Sequence, residues 1–273
     1  MLILADKPGQ LGNSLILYAN LWAFAKEHHL RLYNPAFYAY AAYFAFTRRQ
    51  SVINKWMYRF LHPLARLFRK TGSRLCIALD WQQSLDLDQK AQYHDLLHPF
   101  RLLMGWKYRG QKLVQAHKST IKALFSPAEP YAMQLEDFWQ KTFTDNQEII
   151  LGMHIRRGDY AGFENGIYYY SLEDYKQLIP QWVNLFPTQK LHLLICSNEE
   201  VPLSEFSGLG AKISAGPGHE LLDMYAFAKC HYLIGPPSTY TMWASFYGEV
   251  PLYMLHNINQ PFVLSDFKCV GEL

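Results

Sequence analysis

Cysteine is scarce. The four present, Cys76, Cys196, Cys230 and Cys269, lie far apart with no C-x-x-C spacing, so neither a disulfide scaffold nor a zinc ribbon is expected and a reducing compartment is the default. Long apolar runs are missing too: Leu15 to Ala25 and Ala36 to Phe46 fall short of the roughly 20 residues that span a bilayer. The start, MLILADKPGQLGN, lacks a basic region leading into an apolar core and a small-residue cleavage site, so no secretory signal is expected. The expected location is cytoplasmic, with peripheral attachment at the inner face of the membrane as the further reading. Glycine (16) and proline (14) are modest in 273 residues that are 50% hydrophobic and 18% charged, which excludes collagen-like and disordered low-complexity chains. A globular chain of this length can bury a sizeable core, in one large domain or two smaller ones.

The most uneven shortage is of acid. From His28 through Leu79 there is no Asp or Glu, while Arg31, Arg48, Arg49, Lys55, Arg59, Arg66, Arg69, Lys70 and Arg74 place nine of the chain's 26 basic residues there. The rest of the chain is net acidic, although the total is +3. Aromatics crowd the same segment, and in Val52–Leu61 apolar residues recur at three- and four-residue intervals between basic ones, the pattern of a helix at an anionic interface. Three readings stand: a helical part of the fold whose arginines face water, a membrane-surface contact, and a nucleic-acid contact, the last with no accompanying motif.

The order of elements is that of an α/β protein. A strand at Leu2–Ala5 runs through Lys7–Asn13 into a helix from about Ser14 to His28. Gly9, Gly12 and Asn13 at such a turn are candidate ligand contacts, because glycine lets backbone approach a ligand and a helix start offers unpaired N–H groups; a plain connection is the alternative. A helix over Gln134–Asp145 gives way to a strand at Glu148–Ile155, followed by a helix at Ser171–Asn184, a strand at Leu191–Cys196, a helix at Glu220–Lys229, a strand at Tyr232–Ile234 and a helix after Ser238. Such alternation predicts a parallel sheet flanked by helices, with a domain boundary near Asp145.

Chemistry concentrates where those strands end. His154-Ile155-Arg156-Arg157-Gly158-Asp159-Tyr160 puts paired arginines at the carboxyl end of a buried strand, where open α/β sheets bind ligands. A guanidinium fork grips two oxygens of an anion such as phosphate, and Asp159 is placed to orient one guanidinium. Ser238 and Thr239, after another strand, can cap the next helix or bind a pyrophosphate. Ser197 and Asn198, at a third strand end, can read a base or ribose, or simply form a turn.

The string 154–160 resembles the H-x-R-R-x-D-Y signature of the α1,2- and α1,6-fucosyltransferases, which move L-fucose from GDP-fucose to a sugar hydroxyl. Gly9-Gln10-Leu11-Gly12-Asn13 is similar to the G-x-L-G-N turn of the α1,2 branch. Ile195-Cys196-Ser197-Asn198 resembles its second donor-side strand end, and Pro237–Ala244 its S-[ST]-F-S-W-W-A stretch. The resemblance implies an α/β fold of two Rossmann-like domains of the GT-B type: residues 1–145 as the acceptor side, carrying the helical basic segment 28–79, and 146–273 as the nucleotide-sugar-binding domain. It implies inversion at the fucose carbon, transfer to a sugar hydroxyl in α1,2 linkage to a galactoside in polysaccharide or glycan synthesis, GDP-fucose as donor, and no metal or other cofactor. By position, Arg156 matches the arginine on the donor pyrophosphate, His154 and Asn198 lie near guanine or ribose, and Ser238 and Thr239 near phosphate, with Arg157 beside them. Two departures are plain: Ser14-Leu15-Ile16-Leu17 replaces a glutamine-rich helix start, and Met242-Trp243 a pair of tryptophans. The middle, Tyr33 to Thr144, has no clear match.

The residues themselves allow the same chemistry. Departing GDP gathers negative charge while the fucose carbon turns oxocarbenium-like, so a fixed guanidinium, for which Arg156 is the candidate, favours the transition state. Asp159, Glu164 and Asp6 are candidate bases for the acceptor hydroxyl. Two alternatives compete. Asp86-Leu87-Asp88 spells the D-x-D of metal-dependent transferases that use another nucleotide sugar, or else a polar helix start. The aromatic-rich middle also fits a non-catalytic sugar- or membrane-binding module. Cys230-His231 and His28-His29 lack spaced partners, so no zinc is assigned.

Overall fold

The computed structural model describes residues 1–48, 51–271 and 273; Arg49 of the basic run lies outside the described residues. They divide into two compact units, Met1–Ala132 with Gly271–Leu273, and Met133–Val270.

The first unit contains six strands: β1 (Leu2–Leu4), β2 (Leu32–Tyr33), β3 (Cys76–Ala78), β4 (Leu85–Asp86), β5 (Arg101–Met104) and β6 (Tyr108–Arg109). Four form a sheet in the order β2-β1-β5-β3 and the other two pair separately, every pairing parallel. Its helices are α1 (Leu11–Glu27), α2 (Ser51–Lys70), α3 (Lys90–Tyr93), α4 (Gln111–Ala116) and α5 (Lys118–Leu124). Helix α1 starts at Leu11, three residues ahead of the sequence expectation, because the turn after β1 closes at once: Asn13 Nδ2 donates to Pro8 O at 3.0 Å. Leu4, Leu17, Leu21, Phe24, Leu103 and Tyr108 form its core.

Helix α6 (Glu129–Thr142) crosses the division between units, which falls at 132/133 rather than after the helix at 145/146. Contacts made late in the helix explain the placement. Phe143, just beyond it, packs against His192 at 4.5 Å between ring centroids, and Lys229 Nζ meets Glu136 Oε2 at 2.7 Å. The last residue belongs with the first unit because the Asn20 side-chain amide donates to Leu273 O.

The second unit holds a five-stranded parallel sheet of β7 (Glu148–Ile155), β8 (Lys190–Ser197), β9 (Lys212–Ala215), β10 (Tyr232–Gly235) and β11 (Leu252–Met254), in the order β11-β10-β7-β8-β9. The helices α7 (Leu172–Lys176), α8 (Leu178–Leu185), α9 (Glu220–Phe227) and α10 (Thr239–Gly248) connect them. The chain runs outward from β7 through β8 and β9, then returns to place β10 on the other side of β7. The order therefore reverses beside β7, the position at which open α/β sheets bind ligands. Near-continuous burial along β7 and β8 reflects a sheet covered on both faces, with Trp182, Phe206 and Tyr175 among the residues packed against it.

Candidate functional site

The carboxyl edge of the second sheet gathers eight of the residues singled out from sequence. His154 lies within β7, Arg156, Arg157 and Asp159 follow it, Ser197 and Asn198 end β8, and Ser238 and Thr239 follow β10. Arg156 Nη2 donates to Asp159 Oδ2 at 2.8 Å, and the guanidinium lies 5.6 Å from the Tyr160 ring centre. Its side chain is 13% exposed against 54% for Asp159, so the acid holds the cation at the mouth of the edge while most of the guanidinium is sheltered. Arg157 turns elsewhere, donating to Tyr169 Oη at 3.0 Å and pairing with Glu199 at 3.2 Å.

Asn198 ties two strand ends together. Its Oδ1 accepts from Arg157 N at 3.1 Å and its Nδ2 donates to Asp159 Oδ1 at 3.4 Å. Gly158 permits this closeness: at φ +34° an added Cβ would sit 2.6 Å from Asn198 Nδ2. Tyr160 bridges to the β10 loop, its hydroxyl donating to Pro237 O at 2.6 Å. Ser238 is the N-cap of α10, its Oγ accepting from Tyr240 N at 3.2 Å. The first turn of α10 thus presents positive backbone dipole to the same edge that carries Arg156, a combination suited to an anion.

Deeper along this edge lie two buried ionisable groups. His154 is 3% exposed and stacks on Tyr240 at 5.2 Å, and its Nδ1 has no hydrogen-bond partner among the described residues. Burial, with a smaller contribution from the Arg156 charge, pushes its pKa down to about 3, so the ring is neutral at pH 7. Asp223 of α9 is 8% exposed and accepts from Gly218 N at 2.8 Å. Burial raises its pKa to about 6, against the lowering effect of the Gly218 and His219 amides. Sequence reasoning missed Asp223; its signal was a lone acid in the apolar run Leu221–Phe227.

Gly9, Gly12 and Asn13 belong to the first unit. Gly9, at φ +110°, lies in the β1–α1 turn, and Gly12 and Asn13 lie in the first turn of α1, with Asn13 closing the loop onto Pro8. Asp6, at the end of β1, accepts from Lys7 N at 3.0 Å and Gly105 N at 3.3 Å and lies 3.9 Å from His62 Nδ1. Glu164, at φ 48°, is a left-handed residue in the loop that follows Tyr160 in the second unit.

The D-x-D carboxylates serve backbone. Asp88 accepts from Lys112 N at 2.8 Å and Leu113 N at 3.2 Å, fastening the start of α4, and Asp86 Oδ1 accepts from Asp88 N at 2.8 Å. Among the described residues the one group with metal-ligand spacing is His94, Asp95 and His98, all exposed; it was not expected from sequence.

No protein-family model matches the chain, and no curated protein does. Solved structures do. A mutant FUT1 of Arabidopsis thaliana in complex with GDP aligns at TM-score 0.60 and 11% identity, over 93% of this chain and 70% of that one. Fucosyltransferase NodZ from Bradyrhizobium aligns at 0.54 and 15%, over 95% and 96%. POFUT1 in complex with GDP-fucose aligns at 0.52 and 9%, over 90% and 94%. At these identities the likeness is one of fold: the chain has the α/β architecture, with parallel sheets, of structures that include fucosyltransferases.

Proposed function

We propose that the protein is a glycosyltransferase that moves L-fucose from GDP-fucose to a sugar hydroxyl, with inversion, in α1,2 linkage to a galactoside. The observation that carries this reading is that Arg156 follows β7 and α10 opens after the neighbouring β10, where the strand order reverses, with the Tyr160 hydroxyl donating to Pro237 O between the two loops. The fold likeness to FUT1 with GDP and POFUT1 with GDP-fucose supports the choice of donor, as does the H-x-R-R-x-D-Y string.

In this reading the second unit holds the nucleotide and the first serves the acceptor. Arg156 and the amides at the start of α10 hold the β-phosphate, and their charge is already in place when the C–O bond to GDP breaks. Asp159, with one oxygen on Arg156 and the other facing Asn198, positions the guanidinium. Ionised Asp223 accepts the paired N–H donors of guanine, and neutral His154 offers its Nδ1 to the base or ribose. The acceptor proton passes to a carboxylate, for which Glu164 is the remaining candidate in the unit that holds the nucleotide. Positive charge from protein makes a metal unnecessary.

Incubation with GDP-fucose and a panel of galactosides should release GDP and fucosylated product, and turnover should persist in excess EDTA. Donor binding without product would favour the sugar-binding module, and loss of activity restored by manganese would favour a metal-dependent transferase.

A further inference from the structure

We propose that the outward face of α2 docks on an anionic lipid bilayer. The inward face of this helix belongs to the first unit: Leu61, Ala65 and Phe68 pack with Ile3, Leu102 and Met104, and His62 Nδ1 lies 2.8 Å from Ala5 O. The opposite face carries Val52, Trp56, Phe60, Pro63 and Leu67, spaced four, four, three and four apart and all exposed. Such spacing makes one continuous stripe, and Trp56 and Phe60 are 67% and 72% exposed on it.

A soluble surface rarely spends large apolar side chains this way, and a contiguous patch of them marks a contact. Charge selects the partner. Lys55, Arg59, Arg66 and Lys70, all exposed, run beside the stripe, the Arg59 guanidinium lying 5.4 Å from the Trp56 ring centre. No acid occurs between His28 and Leu79 to balance them.

A protein partner would ordinarily be met by mixed charge around an apolar centre. A row of one sign along an aromatic stripe instead fits phosphate headgroups above acyl chains, with Trp at the boundary and the long basic side chains reaching up to the phosphates. No helix among the described residues is long and apolar enough to cross a membrane, so α2 would lie in the plane of the interface.

Sedimentation of the full chain with phosphatidylglycerol-containing vesicles, against pure phosphatidylcholine vesicles, tests the assignment. Pelleting is expected with the anionic vesicles alone and should weaken as salt is raised. The double variant Trp56→Glu/Phe60→Glu should lower partitioning by about tenfold or more, and Lys55→Glu/Arg59→Glu should do so with the stripe intact. Both pairs are at the surface, and an unchanged near-ultraviolet circular dichroism spectrum shows that each variant is folded. No pelleting at low salt overturns the proposal. So does pelleting that neither pair affects, or a dimer in solution that Trp56→Glu/Phe60→Glu converts to monomer without any vesicle binding by the parent chain.

Discussion

Arg156 stands sheltered at a sheet edge with Asp159 as its partner, which is how a charge is kept oriented before a ligand arrives. Replacing it with alanine should lower turnover by about 10²-fold or more, the usual cost of removing a preorganised charge from a developing anion; initial rates of GDP release measure it. Asp223 gives a pH test. Its native pKa of about 6 lies above the ordinary 3.8, so its contribution to folding is full below pH 3.8 and is lost as pH rises through about 6. If the ionised form binds guanine, GDP affinity should rise as pH is raised through that value, by up to about tenfold per unit below it. Calorimetric titration should find Asp223→Asn weaker and nearly flat with pH.

His154 has the opposite sign. Its pKa of about 3 lies below 6.5, so the unfolded chain takes up the proton first. Stability is full above pH 6.5 and falls as pH drops toward 3, by at most about 1.4 kcal/mol per unit. Thermal melts should show a shallower acid loss for His154→Gln. Arg156 was legible in sequence because its neighbours form a string at a strand end. Asp223 was not, because burial of a lone helical acid is decided by what packs over it.

Strand β7 runs over the residues expected for it, and α10 begins directly after its predicted cap, since the apolar stretch Ile149–Met153 and a Ser before a helix are local signals. The first sheet was read only at β1. Its other strands have two to four residues, too short for alternation to register, and they find their places only through pairing with β1 and β5. The helix expected at Ser171–Asn184 is two, α7 and α8, the first opened by a capping box between Ser171 and Asp174. Ser238→Ala removes the α10 cap and should cost about 1 kcal/mol of stability, read as a lower urea midpoint, and should weaken GDP binding along with it. An unchanged midpoint would mean that the cap bond contributes nothing.

At the scale of the chain, alternation of helix and strand gave the class of the second unit, whereas its strand order and the reversal beside β7 depend on long-range pairing that no local pattern encodes. The division inside α6 was hidden for the same reason, because contacts of Glu136 and Phe143 with residues far along the chain decide it. The gap in acidic residues was visible at once, but only the structure turns the apolar stripe of α2 outward. All of the proposed chemistry depends on Arg156 holding the outer phosphate of the donor nucleotide. Calorimetric titration of GDP and GMP into the parent chain and into Arg156→Ala isolates that contact. GDP should bind the parent at least about tenfold more tightly than GMP, and the difference should shrink sharply in the variant, to what the amides of α10 alone supply, while GMP affinity stays the same. A preference for GDP that is undiminished in Arg156→Ala, or a parent chain that does not distinguish the two nucleotides, would contradict it.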